Sequence, residues 1–332
     1  MPDVIRLDFD PTIAPFGLTV RLETLALAGV IFLMLVMAGL GAGRMQPRRD
    51  AGAHAVKRDK ARLRRDDLIL IAVGAVPGAV VGARIDYALI HWDYFKIDPN
   101  RLLDPGQGGL ALTLAVVLGT ITGLSVALLL GASTGRWLHV ASGPLLYGLG
   151  LGKLAMVLGG DGQGRFSDAT YATVYVRPGP WQSANPGTPA LPSQALEGIL
   201  VLIAALLILV VPVVLRFRLR RWRWIVRPGF AARRDWWILT GYRRFLSALC
   251  LWSAARFGAA FTWRDPDVAG PLGVEQIMLL ALFGFSLVIF VIGGLWEWRR
   301  RRASARIAAR VASAPRAPDL PEPRTGTRTP AR

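Results

Sequence analysis

The chain carries one cysteine, Cys250, and only three histidines, His54, His91 and His139, scattered through 332 residues. An intrachain disulfide is therefore excluded, and no Cys/His grouping has the spacing of a zinc or iron–sulfur site. No metal and no cofactor is expected. Acidic residues are scarce as well: 22 Asp and Glu stand against 40 Lys and Arg, a formal charge of +18. Such a balance raises the question of nucleic acid, but the cations flank apolar runs and do not gather on one folded face, so no nucleic-acid partner is expected. Internal repeats of the kind that build many secondary transporters are also missing.

What the chain has in abundance is apolar surface. Hydrophobic residues make up 53% of it, with 36 glycines and a mean hydropathy of +0.40. They fall in blocks: Val20 to Leu40, Leu68 to Ile90, Leu110 to Leu130, Val140 to Leu158, Ala195 to Leu215 and Val274 to Leu295. Each is close to the ~20 residues that cross a bilayer. A weaker block, Phe245 to Trp263, is interrupted by Arg256. The pattern predicts an all-α integral membrane protein of seven spans. The opening MPDVIRLDFD lacks a basic n-region, so the first span is expected to be retained.

Basic clusters between Arg44 and Arg65, between Arg216 and Arg234, and from Arg299 onward mark the cytoplasmic side. Seven spans then place the N-terminus outside and the C-terminus in the cytoplasm. The segments from Asp93 to Gln107 and from Gly159 to Ser193, rich in Gly and Pro, form an irregular outer arm and loop, with a short strand possible in ATYATVYV. Domain organisation follows: a membrane domain over 1–302 and a disordered Arg/Pro/Ala-rich tail over 303–332.

Charged groups inside the spans each need a reason, because they cost about 2.5 to 3.5 kcal/mol at a helix centre. Lys153 lies six positions before Gly159, Arg84 eight before Trp92 and Arg256 seven before Trp263. At about 1.5 Å per residue, all three sit roughly 9 to 12 Å below the outer ends of their helices. Glu23, Asp86, Asp161 and Glu197 fall in the same half, where their plain role is to neutralise the cations. Snorkelling explains any one of the cations alone; three at one depth point to an anion that enters the membrane beside them. A phosphate fits, since a guanidinium binds its oxygens in a fork and an ammonium adds a point charge.

GKLAMVLGGDGQGR, Gly152 to Arg165, resembles the signature segment of the prolipoprotein diacylglyceryl transferases, Gly-Arg-x-Gly-Asn-Phe-x-Asn-Gly-Glu-x-x-Gly-Arg, over fourteen positions without a gap. FDPTIAPFGLTVRLETLAL, GARIDYALIHWDYFKIDP, GQGGLAL, LPSQALEGIL and RDPDVAGPLGVEQIMLL are similar to further family stretches in the same order. The resemblance implies transfer of the diacylglyceryl group of phosphatidylglycerol to the lipobox cysteine thiol of a preprolipoprotein, in a bacterial plasma membrane. It also implies that Lys153, Arg256 and Asp161 stand at catalytic positions. Arg84, Tyr87, Gly160, Gly164, Arg165, Gln194 and Glu197 stand at substrate-binding ones, with Gly152 alongside. Several family positions are substituted. Its histidine falls on Thr113, its signature arginine on Lys153, its asparagine on Met156, its glutamate on Asp161, a second histidine on Leu191 and a further glutamate on Ala260. Threonine is no base near neutral pH, so Asp161, Asp86, Glu197 or His91 would take the thiol proton, or the thiol would ionise beside the cations. A degenerate relative that binds anionic lipid without transfer is the alternative.

Overall fold

A computed structural model describes residues 4–44, 65–104, 109–178, 186–222 and 241–313. Its helices are α1 (Leu22–Arg44), α2 (Arg65–Ile90), the short α3 (Trp92–Phe95), α4 (Thr113–Leu129), α5 (Thr134–Met156), α6 (Ser193–Trp222), α7 (Tyr242–Ala260) and α8 (Val274–Ser313). Four of them are long and apolar enough to cross a membrane: α1, α2, α6 and α8, over Leu22–Gly43, Asp66–Ile90, Ser193–Val214 and Val274–Trp296. The protein is therefore a membrane protein. Helix α4 is apolar but shorter. Helices α5 and α7 form where the sequence places them, yet miss the apolar standard that seven spans would require.

The reason lies in what each helix faces. Helices α1, α2, α6 and α8 present Phe32, Val73, Leu206 and Phe285 outward, among many exposed apolar side chains. Helix α5 buries Trp137, Leu146, Gly148 and Lys153 and packs against α1, α6 and α7. A helix surrounded by protein can keep ionisable residues such as Arg136, His139 and Lys153 that are costly on a face turned to lipid.

Small residues bring the helices close. In α2, a Cβ on Gly78 or Gly82 would run into Thr122 Oγ1 or the Leu114 carbonyl of α4, the small-xxx-small spacing of close membrane helix pairs. In α5 and α6, a Cβ on Gly150 would lie 3.1 Å from the Gly198 carbonyl, and one on Gly198 would lie 2.9 Å from that of Gly150. Such an approach brings Lys153, about one turn beyond Gly150, to Glu197, the residue before Gly198.

Short strands cap the end of the bundle at which α2, α5 and α7 finish and α4, α6 and α8 begin. β1 (Ile5–Leu7) pairs in parallel with β4 (Thr173–Tyr175), which lies within the ATYATVYV stretch. β2 (Thr12–Ile13) pairs with β3 (Val20–Arg21), and β5 (Asp267–Ala269) with β6 (Leu272–Gly273). Two compact units meet in sequence at Phe290 and Val291, inside the region read as one membrane domain to 302. Helix α8 runs on to Ser313, into the stretch read as disordered. The Ala and Arg of residues 303–310 have high helix propensity and continue a helix already nucleated.

Candidate functional site

Four helices contribute to one buried ionic centre. Lys153 of α5, Glu197 of α6, Arg256 of α7 and Glu275 of α8 are 8%, 0%, 5% and 3% exposed. Arg256 Nη1 donates to Glu197 Oε1, its Nε donates to Glu275 Oε1 at 2.8 Å, and its Nη2 donates to the same oxygen. Lys153 Nζ forms an ion pair with Glu197 Oε2 at 3.2 Å. The ammonium also sits 4.3 Å from the Trp263 ring centroid, a cation–π contact. Burial makes this arrangement binding on every member, because removing one leaves an uncompensated charge.

The signature segment frames the centre through its backbone. Gly160 and Gly162 turn with φ of 78° and 77°. Gly164 donates to the Leu191 carbonyl at 2.8 Å and Arg165 to the Thr262 carbonyl at 2.9 Å. A Cβ on Gly164 would collide with Ser193 Oγ and the Thr262 carbonyl, so only glycine permits this seam between the α5 end, the α6 start and the α7 end. The Arg165 side chain donates from Nε to the Trp263 carbonyl at 2.9 Å and pairs with Asp267 at 3.4 Å. Gln194 donates to Tyr175 Oη at 3.3 Å, and Tyr175 donates to the Val157 carbonyl at 2.8 Å. Burial pushes the Tyr175 phenol up to about 12.

Arg84 takes a different position from the other two cations. Its guanidinium donates to the carbonyls of Arg101, Leu102, Asp104 and Gly109 and lies 5.3 Å from the Phe95 ring centroid. It fastens the arm that follows α3. Tyr87 stacks on His91 at 4.1 Å in the same region. Asp161 is half-buried in the turn after α5, within electrostatic reach of Glu23. Asp86 caps α4: its Oδ2 accepts the Leu114 N–H at 2.9 Å.

Two acidic residues of this region escape the sequence reading. Glu275 is signalled only by the cost of an acid at the start of an apolar run. Asp265 is signalled by nothing local. Burial, then the nearby Glu275 carboxylate, hold the Asp265 carboxyl above the usual range, although His91, Arg256 and Lys153 act against that. Among the described residues, no group of three or more His, Cys, Asp or Glu side chains is arranged to hold a metal ion.

A cavity of about 360 Å³ lies between α1, α2, α4 and α5. Its lining is almost wholly apolar, from Met34 and Ala38 through Leu112 and Val116 to Trp137 and Phe245.

The family model for prolipoprotein diacylglyceryl transferase matches residues 27–292. A Bacillus cereus (strain G9842) protein named phosphatidylglycerol--prolipoprotein diacylglyceryl transferase is 23% identical over 231 residues, 68% of this chain and 75% of that protein. One of the same name from Bacillus mycoides (strain KBAB4) is 33% identical over 87 residues, 26% of this chain and 31% of that protein. With a match that runs from α1 into α8 and takes in every member of the ionic centre, the chain belongs to the prolipoprotein diacylglyceryl transferase family.

Proposed function

We propose that this protein moves the diacylglyceryl group of phosphatidylglycerol to the cysteine thiol of a lipobox peptide, as a multi-pass enzyme of a bacterial plasma membrane. In this reading α1, α2 and α4 to α8 are its seven spans, with the N-terminus outside and the C-terminus cytoplasmic. The observation that carries the reading is the pairing of Lys153 and Arg256 across Glu197, at the foot of the signature segment.

The reaction needs two things of such a centre. The phosphate ester must leave, and positive groups in a dry pocket stabilise the charge that gathers on it as the carbon–oxygen bond breaks. The thiol must lose its proton before or as sulfur attacks the glyceryl carbon. Lys153 and Arg256 meet the first need. Both are already balanced by Glu197 and Glu275, so a phosphate engages them by taking the place of a carboxylate at Arg256 or by using its remaining N–H groups. Asp161, Gly160, Gly164, Arg165, Gln194 and Glu197 hold the headgroup end of the pocket in place. Arg84 and Tyr87 contribute by fixing the arm beside it. The apolar cavity suits the acyl chains.

The balance of charge is also what favours the second reading, a relative that binds anionic lipid without transfer. One assay separates them: labelled phosphatidylglycerol and a lipobox peptide are incubated with wild type, Lys153→Ala and Arg256→Ala in vesicles, and the thioether is sought by mass. Thioether from wild type, lost in both variants, supports the enzyme. Folded wild type that binds the lipid and yields none supports the second reading.

A further inference from the structure

Among the buried oxygens near the ionic centre that have no hydrogen-bond partner among the described residues, beside Glu197 Oε2 and Gln194 Oε1, are Asp86 Oδ1, on a side chain 0% exposed, and Thr113 Oγ1, on one 1% exposed. Asp86 and Thr113 belong to neighbouring elements, because Asp86 caps the helix that Thr113 begins. Buried polar atoms are almost always satisfied, so an orphaned pair calls for an explanation. Asp86 Oδ2 accepts the Leu114 N–H, the Thr113 backbone N–H also lies close to the carboxylate, and Oδ1 has no partner of hydrogen-bond geometry among the described residues. Of the other acids, two are committed to the ionic centre and Asp265, in the loop before α8, lies within electrostatic reach of Arg256 and Lys153. Glu197 and Glu275 are locked onto Lys153 and Arg256, and Asp161 lies beside Glu23. The charged groups facing Asp86 are Glu275 of α8 and Arg256 of α7. The apolar cavity extends to the neighbouring positions of α4, being lined by Leu112, Ala115 and Val116 but not by Asp86 or Thr113 themselves.

We infer that Asp86 takes the proton of the acceptor thiol, with the Thr113 hydroxyl beside it positioning the sulfur. This rests on the transferase reading. The balance is complete: the S–H proton passes to Asp86 Oδ1, sulfur forms the new bond to the glyceryl carbon, and the carbon–oxygen bond breaks with its electron pair leaving on the phosphate. Asp86 returns its proton to the departing phosphate or to water. A chain that reaches the pocket through hydrocarbon meets a carboxylate with one fixed and one open oxygen at the first turn of α4.

The test is Asp86→Asn, whose amide oxygen still accepts the Leu114 N–H but takes up no proton. Expected are an unchanged melting temperature, an unchanged KM for phosphatidylglycerol, and kcat for thioether formation lowered by about 10² or more, within the range general bases supply. The fall in wild-type rate at acid pH disappears in the variant. Asp86→Ala, which loses the cap as well, falls in both rate and melting temperature. Wild-type rate and pH profile in Asp86→Asn overturn the inference while leaving the transferase reading intact, and Asp265→Asn run beside it shows whether that acid carries the role instead. No thioether from folded wild type overturns both.

Discussion

Glu197 is the member of the centre whose removal reports most on its energetics. It is fully buried, with Lys153 Nζ 3.2 Å from one oxygen and Arg256 bonded to the other. At an effective dielectric of about 20, a pair at that distance interacts by roughly 5 kcal/mol, part of which is offset by the cost of drying both ions. Buried pairs broken on one side lose about 3 to 5 kcal/mol. Glu197→Gln keeps the volume and an acceptor for Arg256 but leaves Lys153 uncompensated. The variant is expected to melt lower by on the order of 10 °C in detergent. Lys153→Met added to Glu197→Gln leaves Arg256 balanced by Glu275 and is expected to recover most of the loss, the coupling read from the double-mutant cycle. The charge argument reaches binding too: with Glu197→Gln the centre gains a positive charge, so folded variant is expected to hold phosphatidylglycerol more tightly than wild type. Melting unchanged in Glu197→Gln, or lipid affinity reduced in folded protein, refutes the reasoning.

Other consequences follow from single contacts. Gly164→Ala is expected to lower expression and melting strongly, because its Cβ collides with Ser193 Oγ and the backbone at Thr262; thermal melts of the purified variant check it. Trp263→Leu removes the face under Lys153 and is expected to cost about 1 to 2 kcal/mol of stability, seen as a shift of the melting curve. Tyr175 ionises at about 12 in the folded protein against 10.0 ordinarily. Its neutral form therefore contributes stability that is complete below pH 10 and lost as pH rises toward 12. Tyr175→Phe, compared with wild type by melting across that range, is expected to flatten this part of the profile.

Depth and kind of residue were legible in the sequence, and direction was not. The rise per residue fixes how far Lys153, Arg84 and Arg256 lie from their helix ends, and Lys153 and Arg256 do meet at Glu197. Azimuth is set by packing, and it takes Arg84 to the carbonyls of the arm. The approach of Gly150 to Gly198, which makes Lys153 and Glu197 partners, is a contact between distant segments that no local pattern announces. Hydropathy marks blocks for seven helices; those of α1, α2, α6 and α8 are long and apolar enough to cross a membrane, as lipid-facing helices must be. Those of α5 and α7, whose neighbours are protein, carry charges such as Lys153 and Arg256 and fall short of it. Glu275 and Asp265 sit in surroundings that look ordinary in one dimension and acquire charge partners only when α8 and the loop before it fold against α7.

The central claim is that Lys153 and Arg256 together receive a lipid phosphate. Phosphorus NMR of phosphatidylglycerol titrated into purified protein tests it most directly, with Lys153→Met as the comparison, since that change keeps Arg256 paired with Glu197 and Glu275 and takes one positive charge from the centre. The account predicts a shifted and broadened phosphate resonance with wild type that is weakened at least tenfold in apparent affinity in the variant. An equal response from folded Lys153→Met, or no response from wild type, would contradict it.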